Sequence, residues 1–377
     1  MDHQNPIHSE KLKDTPQVKE ALEFLTNIVS SACEFKASDI HIRADNNIMM
    51  RLDGRIRQVK GSPVMTDDMI ERMIYPLISK YHLDLFKENN QVDLALTDSD
   101  GNRVRVNMFR QLGNLAIVMR VIDSNIPNPD ELGLPPQVEN IASMRQGLVI
   151  FSGATGSGKS TSMASLLNEI NAERYEHILT IEDPVEYVFT EKRSVISQRQ
   201  IGIDVPDFGM AMKAALREDP DVILMGEMRD PESIEIALTA AETGHLVFST
   251  LHAPNSADAI TRMVSSFGGE EQVTIRAKLA HNLRCIVTQR LLPKKEEKGR
   301  AVACEVFNVT PLARELITEP QRIKEIKDLI KSGEKVEGML HFDAHLHQLV
   351  RDGIITEEVA LTNASSSTDL ALKLKGF

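Results

Sequence analysis

The sequence predicts an α/β fold with a parallel sheet, preceded by a smaller α+β domain. The first observation is a set of short apolar runs that alternate with helical segments, at residues 148–151, 178–181, 222–225 and 246–250. Such alternation is typical of parallel strands joined by helices. The second observation is the mixture of helical and two-residue periodicity in the first 125 residues, which indicates helices with antiparallel strands.

Within the first domain, residues 18–32 carry a helical stripe formed by Val18, Leu22, Leu25, Ile28, Val29 and Ala32. Asp53-Gly54 between the runs 48–52 and 55–59 predicts a hairpin. A helical stretch at 66–89 and strands at 92–97, 103–110 and 115–122 complete this domain, which we place at residues 16–125. The polar residues 1–15 are expected to be disordered.

Prolines between residues 126 and 136 indicate a linker, which we place at 126–140 and expect to act as a hinge. An α/β core built on the parallel sheet is expected at 141–309. Residues 310–377 are mainly helical in pattern, with one apolar face formed by Ile323, Ile326, Leu329 and Ile330.

Composition excludes several classes of protein. The 377 residues are 42% hydrophobic, enough for two or three domains, and no apolar run approaches the 18 residues of a membrane span. The N-terminus lacks the apolar segment of a signal peptide. Cys33, Cys285 and Cys304 are widely spaced, which favours a reducing compartment over a zinc site. The net charge of −12 argues against bulk nucleic-acid binding, although a local basic groove stays open.

The most specific motif is Gly-Ala-Thr-Gly-Ser-Gly-Lys-Ser at residues 153–160, between a predicted strand and a predicted helix. Chance produces such a motif in a chain of this length roughly one per cent of the time. Backbone N–H groups at the helix start bind phosphate, Lys159 reaches the β- and γ-phosphates, and Ser160 ligates Mg²⁺. We expect Lys159 on the loop surface. The predicted nucleotide site comprises Gly153, Ala154, Thr155, Gly156, Ser157, Gly158, Lys159, Ser160 and Thr161.

Acidic residues follow two of the predicted strands. Glu182, Asp183 and Glu186 end the second strand, and any of them could activate water or support a metal ion; an exposed acidic turn is equally consistent. Glu227 ends the third strand, where Gly226 stands in place of the Asp that positions Mg²⁺ in many NTPases. Glu227 would then take part of that role, or be a solvated strand end.

Two histidines flank the fourth strand. His252 follows its carboxyl end, where it could couple the state of a phosphate to nearby chain. His245 precedes the strand, and because residues seven apart leave opposite faces of an ideal strand, a metal site shared with His252 is not expected. By itself each histidine is more often structural. We place His341, His345 and His347 on a helix surface and reject a metal site there.

Four arginines lie between residues 101 and 122 with no acidic residue among them: Arg103, Arg105, Arg110 and Arg120. Arginine suits contact with a neighbouring subunit's phosphate. A solvated edge strand that uses charge to prevent aggregation is an equally good explanation.

Taken together, five ordered motifs resemble the secretion-superfamily ATPases, and within them the type IV pilus retraction ATPases of the PilT/PilU group. The motifs are residues 37–42, 153–160, 180–186, 224–230 and 243–252. The resemblance implies a RecA-like P-loop ATPase domain after a PAS-like domain, ATP and Mg²⁺ as cofactors, and a closed homo-hexamer. It implies that Glu186 is the general base, Gly226-Glu227 the Walker B motif, His245 and His252 a His box, and that N-domain arginines approach the neighbouring nucleotide.

The resemblance also implies a partner and a location: a motor at the cytoplasmic face of the inner membrane that acts on a pilus platform protein and has no transmembrane segment of its own. The assembly branch's N-terminal extension and four-cysteine module are missing here, which favours retraction. The retraction branch's Ala-Ile-Arg-Asn-Leu-Ile signature is replaced at residues 311–317, and the C-terminal end resembles PilU, which predicts an accessory role beside a PilT paralogue. The alternatives are an ATPase of a type II or type IV secretion machine, a nucleic-acid translocase and a nucleotide-gated scaffold.

Overall fold

The computed structural model describes residues 15–52, 55–122, 125–296, 299–334 and 337–376. The chain divides into two compact units between Asn125 and Ile126. Residues 1–14, which belong to the segment predicted to be disordered, lie outside the described residues. So do Asp53 and Gly54 of the predicted hairpin turn.

The first unit is a six-stranded antiparallel sheet with three α-helices. Sheet order is β4-β3-β1-β8-β7-β6, and a separate two-stranded sheet pairs β2 with β5. The elements are α1 Pro16–Glu34, β1 Asp39–Arg43, β2 Asn46–Asn47, β3 Met49–Leu52, β4 Arg55–Gln58, β5 Val64–Met65, α2 Asp67–Ile74, α3 Lys80–Asn89, β6 Gln91–Thr97, β7 Arg103–Gln111 and β8 Asn114–Ile122.

Local chemistry explains where these helices begin and end. The Thr15 side chain accepts a hydrogen bond from Val18 N–H and Pro16 occupies the first turn, so α1 begins there. The predicted helix at 66–89 is two helices. Pro76 lies in a 3-10 turn, Tyr75–Leu77, after which Ile78 is extended and Ser79 caps α3. Helical periodicity alone did not predict this break.

The second unit is built on one seven-stranded sheet in the order β11-β10-β12-β13-β9-β14-β15, parallel except for the β14–β15 hairpin. Its strands are β9 Gly147–Ser152, β10 His177–Glu182, β11 Val195–Gln200, β12 Val222–Met225, β13 Leu246–Leu251, β14 Leu283–Pro293 and β15 Arg300–Asn308. The four predicted strands are the central ones. We did not predict β11, a polar edge strand, or β14 and β15.

Helices cover both faces of this sheet, because successive residues of a fully buried strand point to opposite sides. Leu148 and Ile150 pack with α7–α12 on one face, whereas Val149 and Phe151 pack with α6 on the other. The helices are α4 Pro129–Leu132, α5 Pro136–Glu139, α6 Lys159–Glu173, α7 Phe208–Ala215, α8 Pro231–Glu242, α9 Ser256–Ser265, α10 Glu271–Asn282, α11 Pro311–Thr318, α12 Ile326–Gly333, α13 Phe342–Arg351, α14 Glu357–Asn363 and α15 Ser367–Leu374, with 3-10 turns Asn140–Ser143 and Pro320–Glu325.

The predicted linker is part of the second unit over most of its length. Leu134 and Val138 are buried and pack in the same cluster as Phe151. Its hinge role stays a prediction. None of the helices within the described residues is both long enough and apolar enough to cross a bilayer.

The C-terminal histidines differ from the expectation of a helix surface. His341 is 3% exposed and caps α13, accepting a hydrogen bond from Asp343 N–H. His345 is 4% exposed and its Nδ1 accepts a hydrogen bond from Cys304 N–H at 2.9 Å. Burial lowers the pKa of His345 to about 4. His345 thus contacts β15, and His347 is half-buried, so His341 and His345 are the two that contradict the expectation.

Candidate active site

Four parallel strands deliver the candidate residues to one edge of the sheet. β10, β12, β13 and β9 are consecutive neighbours in register, so the segments that follow each strand leave from the same carboxyl edge. Ligand sites of open α/β sheets lie at this edge. The loop 153–158, the acidic segment after Glu182, Glu227 and His252 therefore share it.

The loop after β9 has the backbone that a phosphate cradle requires. Gly156 and Gly158 have φ of 78° and 90°, in the left-handed region that side chains disfavour. A Cβ at Gly153 would lie 2.5 Å from Gln289 O, so only glycine fits there. Gly158 precedes α6 without a side-chain cap, which leaves the first turn of the helix suited to an anion.

Lys159 folds back onto this loop instead of lying on its surface, contrary to our expectation. Its side chain is 8% exposed, and Nζ donates to Gly153 O at 2.9 Å and Ala154 O at 3.0 Å. Burial lowers the pKa of Lys159, while the charges of Glu227 and Glu186 act in the opposite direction. The ammonium thus lies in the field of carboxylates from two other segments.

Two further observations agree with polyphosphate binding at this loop. Ser157 Oγ is buried without a hydrogen-bond partner in the structure, which is costly unless a ligand or water completes it. Ser160 and Thr161 are only half-buried at the start of α6. Among the described residues no group of three or more His, Cys, Asp or Glu is placed to hold a metal ion by itself.

The three acids after β10 have different environments. Glu182 is 8% exposed, and its carboxylate accepts from Thr180 Oγ1 at 2.8 Å and from Glu186 N–H at 3.2 Å. Burial raises the pKa of Glu182 to about 7. Asp183 and Glu186 are exposed. Glu182 is thus enclosed by its own segment, while Glu186 is free to meet a substrate.

Glu227 is held by side chains from two directions. Arg229 Nε donates to Glu227 Oε2 at 2.8 Å, and His252 Nε2 lies 3.2 Å from Glu227 Oε1. Thr250 Oγ1 donates to Gly226 O at 2.8 Å, which fixes the turn. A Cβ at Gly226 would make only ordinary contacts of 3.5 Å or more, so close packing does not explain this glycine.

The structure does not bring His245 to this edge. It precedes β13, at the opposite end of the strand from His252, and its Nδ1 contacts Ala240 O at 2.8 Å. Within one chain the two histidines do not share a site, because six strand residues separate them.

The four arginines lie in the first unit on β7 and β8. Arg120 donates to Asp39 Oδ1 through Nε and Nη2, each at 2.9 Å. Arg110 donates to Gly113 O at 3.0 Å and lies over the Phe86 ring. Arg105 and Arg103 share the strand face on which Arg105 pairs with Arg120 across strands. Arg110 and Arg120 therefore each have partners inside their own unit.

The sequence analysis did not identify Asp39 as a partner of the arginines. It is 5% exposed, and Arg51 lies 3.3 Å from it on the side opposite Arg120. Burial opposes its charge, but hydrogen bonds from Ser38 and Arg120 and the charges of both arginines keep the pKa of Asp39 below its usual value. The motif at residues 37–42 was recognised in the sequence, but the pairing of Asp39 with Arg51 and Arg120 on the neighbouring strands was not.

Sequence reasoning also missed the side chains that support the acidic segment. Gln198 and Gln200 of β11 contact the backbone of residues 185–189, and Tyr187 OH lies 2.9 Å from Thr161 Oγ1. The polar pattern of 195–200 was the available signal, since polar residues in a strand require partners.

Sheet order, loop and acids define a RecA-like P-loop ATPase domain, which follows a smaller α+β domain in the chain. A family model described as type II/IV secretion system protein matches residues 14–370. The chain belongs to this family, and the predicted resemblance is confirmed.

Known relatives give the closer comparison. The type IV pilus ATPase PilU of Pseudomonas aeruginosa is 38% identical over 90% of this chain and 88% of its own length. The type IV pilus retraction ATPase PilT of the same organism is also 38% identical, over 90% and 98%. A crystal structure of the pilus retraction motor PilT with bound ADP has a TM-score of 0.85 at 39% identity, covering 92% of this chain and 99% of that one. Equal identity to PilU and PilT does not separate the two branches.

Proposed function

We propose that this protein is an ATP-hydrolysing motor that drives type IV pilus retraction. The observation that carries the proposal is that the loop 153–158, with Lys159 buried against it, shares the carboxyl edge of the sheet with the segments that carry Glu186 and Glu227. In the proposal, Glu186 acts as the base, Glu227 as a metal-binding acid and Lys159 as the phosphate-binding cation. The 38% identity to the retraction ATPase PilT over nearly all of both chains supports the same function.

In this proposal the loop residues bind the phosphates and Lys159 exchanges its two carbonyl partners for β- and γ-phosphate oxygens. Phosphoryl transfer depends on positioning and electrostatics more than on covalent chemistry by the protein. Glu186, exposed beside the loop, orients the attacking water and accepts its proton. Glu182 holds Glu186 from behind through the backbone N–H and is not itself the base.

Ser160 and Glu227 are the groups that would hold Mg²⁺, which when bound neutralises charge on the phosphates. His252 and Arg229 keep the Glu227 carboxylate oriented by bonding both of its oxygens. His252 also links Glu227 to the segment after β13, so a change at the Glu227 carboxylate alters the contact with that segment.

The proposed assembly is a homo-hexameric ring with nucleotide sites at subunit boundaries, completed by Arg103 or Arg105 of a neighbour. Its proposed partners are an inner-membrane pilus platform protein and a PilT paralogue, and its proposed location is the cytoplasmic face of that membrane. Equal identity to PilU and PilT leaves the accessory role as one form of this proposal.

An ATPase of a secretion machine is the second candidate, because the matching family model is described as a type II/IV secretion system protein. Deletion of the gene in its own host separates them. Loss of pilus retraction, measured by twitching and by fluorescent pilus imaging, with secretion intact supports the pilus motor. Loss of secretion with normal retraction supports the alternative. Purified protein without Mg²⁺-dependent ATP hydrolysis, alone and with its paralogue, would contradict both.

A further inference from the structure

The segment that carries Glu186 runs beside the nucleotide helix α6 and is tied to it at two places. Near the start of α6, Tyr187 OH lies 2.9 Å from Thr161 Oγ1. Ten residues further along α6, Asn171 Nδ2 donates to Thr190 O at 2.8 Å and Asn171 Oδ1 accepts from Lys192 N–H at 3.0 Å. One tie is next to the phosphate loop and the other is distant from it.

Behind the segment, β11 holds the backbone on both sides of Tyr187. Gln198 Nε2 donates to Tyr187 O at 2.8 Å and Gln198 Oε1 accepts from Phe189 N–H at 2.9 Å. The Tyr187 ring packs with the core between β9 and α6. Main chain and ring are therefore fixed, and the hydroxyl adds a bond that the packing of the ring does not require.

We propose that the Tyr187 hydroxyl is a positioning group that sets the Glu186 carboxylate relative to the nucleotide through its hydrogen bond to Thr161. Glu186 is the preceding residue in the chain, and Thr161 adjoins Ser160 in the first turn of α6. Movement of that turn on nucleotide binding is thereby transmitted to the base. This inference rests on the proposed function of Glu186 in ATP hydrolysis.

The test measures kcat, KM for ATP and thermal midpoint for full-length protein with single-atom changes. Tyr187→Phe and Thr161→Val each remove one hydroxyl and keep the volume. We expect kcat to fall about three- to tenfold, the effect of one ordinary hydrogen bond on a rate, with KM and thermal midpoint close to wild type. The double variant should be no slower than the slower single variant, since both remove one bond. Thr161→Ser keeps the hydroxyl, so its kcat should fall less than that of Thr161→Val.

Two control variants separate positioning from stability. Tyr175→Phe makes the same chemical change at a side chain that is 82% exposed, and should change nothing. Asn171→Ala breaks the distant tie at a fully buried residue, and should lower the thermal midpoint more than kcat. Unchanged kcat in Tyr187→Phe, or additive losses with a lowered thermal midpoint, overturns the inference. Glu186→Gln is assayed in parallel to test the proposed function separately. If that variant keeps full activity, Glu186 is not the base, and the proposed function of Glu186 fails independently of Tyr187.

Discussion

His252 Nε2 lies 3.2 Å from Glu227 Oε1, which joins the end of β13 to the end of β12. Arg229 holds the other oxygen of the same carboxylate at 2.8 Å. The acid that stands in for a missing Asp at Gly226 is thus oriented from both sides. The two residues are 25 positions apart in the chain and lie together because β12 and β13 are parallel neighbours in the sheet.

The first prediction concerns this pair. Glu227→Gln keeps the shape of the side chain but removes the charge that would hold Mg²⁺, so the Mg²⁺ concentration needed for half-maximal ATP hydrolysis should rise. His252→Ala leaves that charge in place and should lower kcat with a smaller effect on Mg²⁺. Magnesium titrations of ATPase rate distinguish the two variants. Identical Mg²⁺ dependence in wild type and Glu227→Gln would remove Glu227 from the metal site.

The second prediction concerns Lys159. Lys159→Met removes the ammonium but nearly keeps the buried volume, so ATP binding should be lost while the thermal midpoint stays close to wild type. Lys159→Ala should lose binding too and also lose about 1–2 kcal/mol of unfolding free energy, because it leaves a gap of several methylenes. Fluorescent nucleotide titration and urea unfolding measure both effects. Wild-type ATP affinity in Lys159→Met would refute the assignment of the loop.

The third prediction concerns the choice of base. Glu186→Gln should bind ATP normally and hydrolyse it 10²–10⁴-fold more slowly, the usual contribution of a general base. Glu182→Gln should have a milder effect on the rate, because Glu182 acts only through the backbone of Glu186. Single-turnover hydrolysis with bound ATP gives the comparison. A dead Glu182→Gln beside an active Glu186→Gln would reverse the two roles.

The fourth prediction uses the buried acid. Burial raises the pKa of Glu182 to about 7 from 4.5, so the folded protein binds this proton more tightly than the unfolded chain. The resulting stability is present below pH 4.5 and is lost as pH rises through 7. Relative to Glu182→Gln, the wild-type unfolding free energy should fall by on the order of 3 kcal/mol across that window. Urea unfolding at several pH values tests this, and parallel curves would show that the carboxyl titrates normally.

The fifth prediction concerns action between subunits. Arg110 and Arg120 bond within their own unit, so the test uses Arg103→Ala combined with Arg105→Ala. These changes should lower hydrolysis by about 10³–10⁵-fold, as expected for arginines at a neighbour's phosphate. When subunits with these two changes are mixed with Lys159→Met subunits, the mixed rings should regain activity at sites where an intact loop faces intact arginines. No recovery in verified mixed hexamers would mean that the arginines act only within their own chain.

Local signals in the chain predicted the central sheet and the phosphate loop. The runs at 148–151 and 246–250 read as buried strands because a strand covered on both faces is continuously apolar. The loop was recognisable because its glycines and Lys159 are consecutive. The β14–β15 hairpin was not, since the run after α10 is apolar enough for either a helix or a strand, and only pairing with β9 decided it.

The sequence by itself determined that a nucleotide loop, acids and a histidine follow successive strands, because each of these is a short-range pattern. Only the tertiary structure decided which acid is enclosed, that Lys159 is buried, that His252 meets Glu227 while His245 lies at the opposite strand end, and that Tyr187 reaches Thr161. The physical reason is that burial and hydrogen-bond partners depend on strand order and on the side chains that neighbouring strands present. Neither can be read from residues adjacent in the chain.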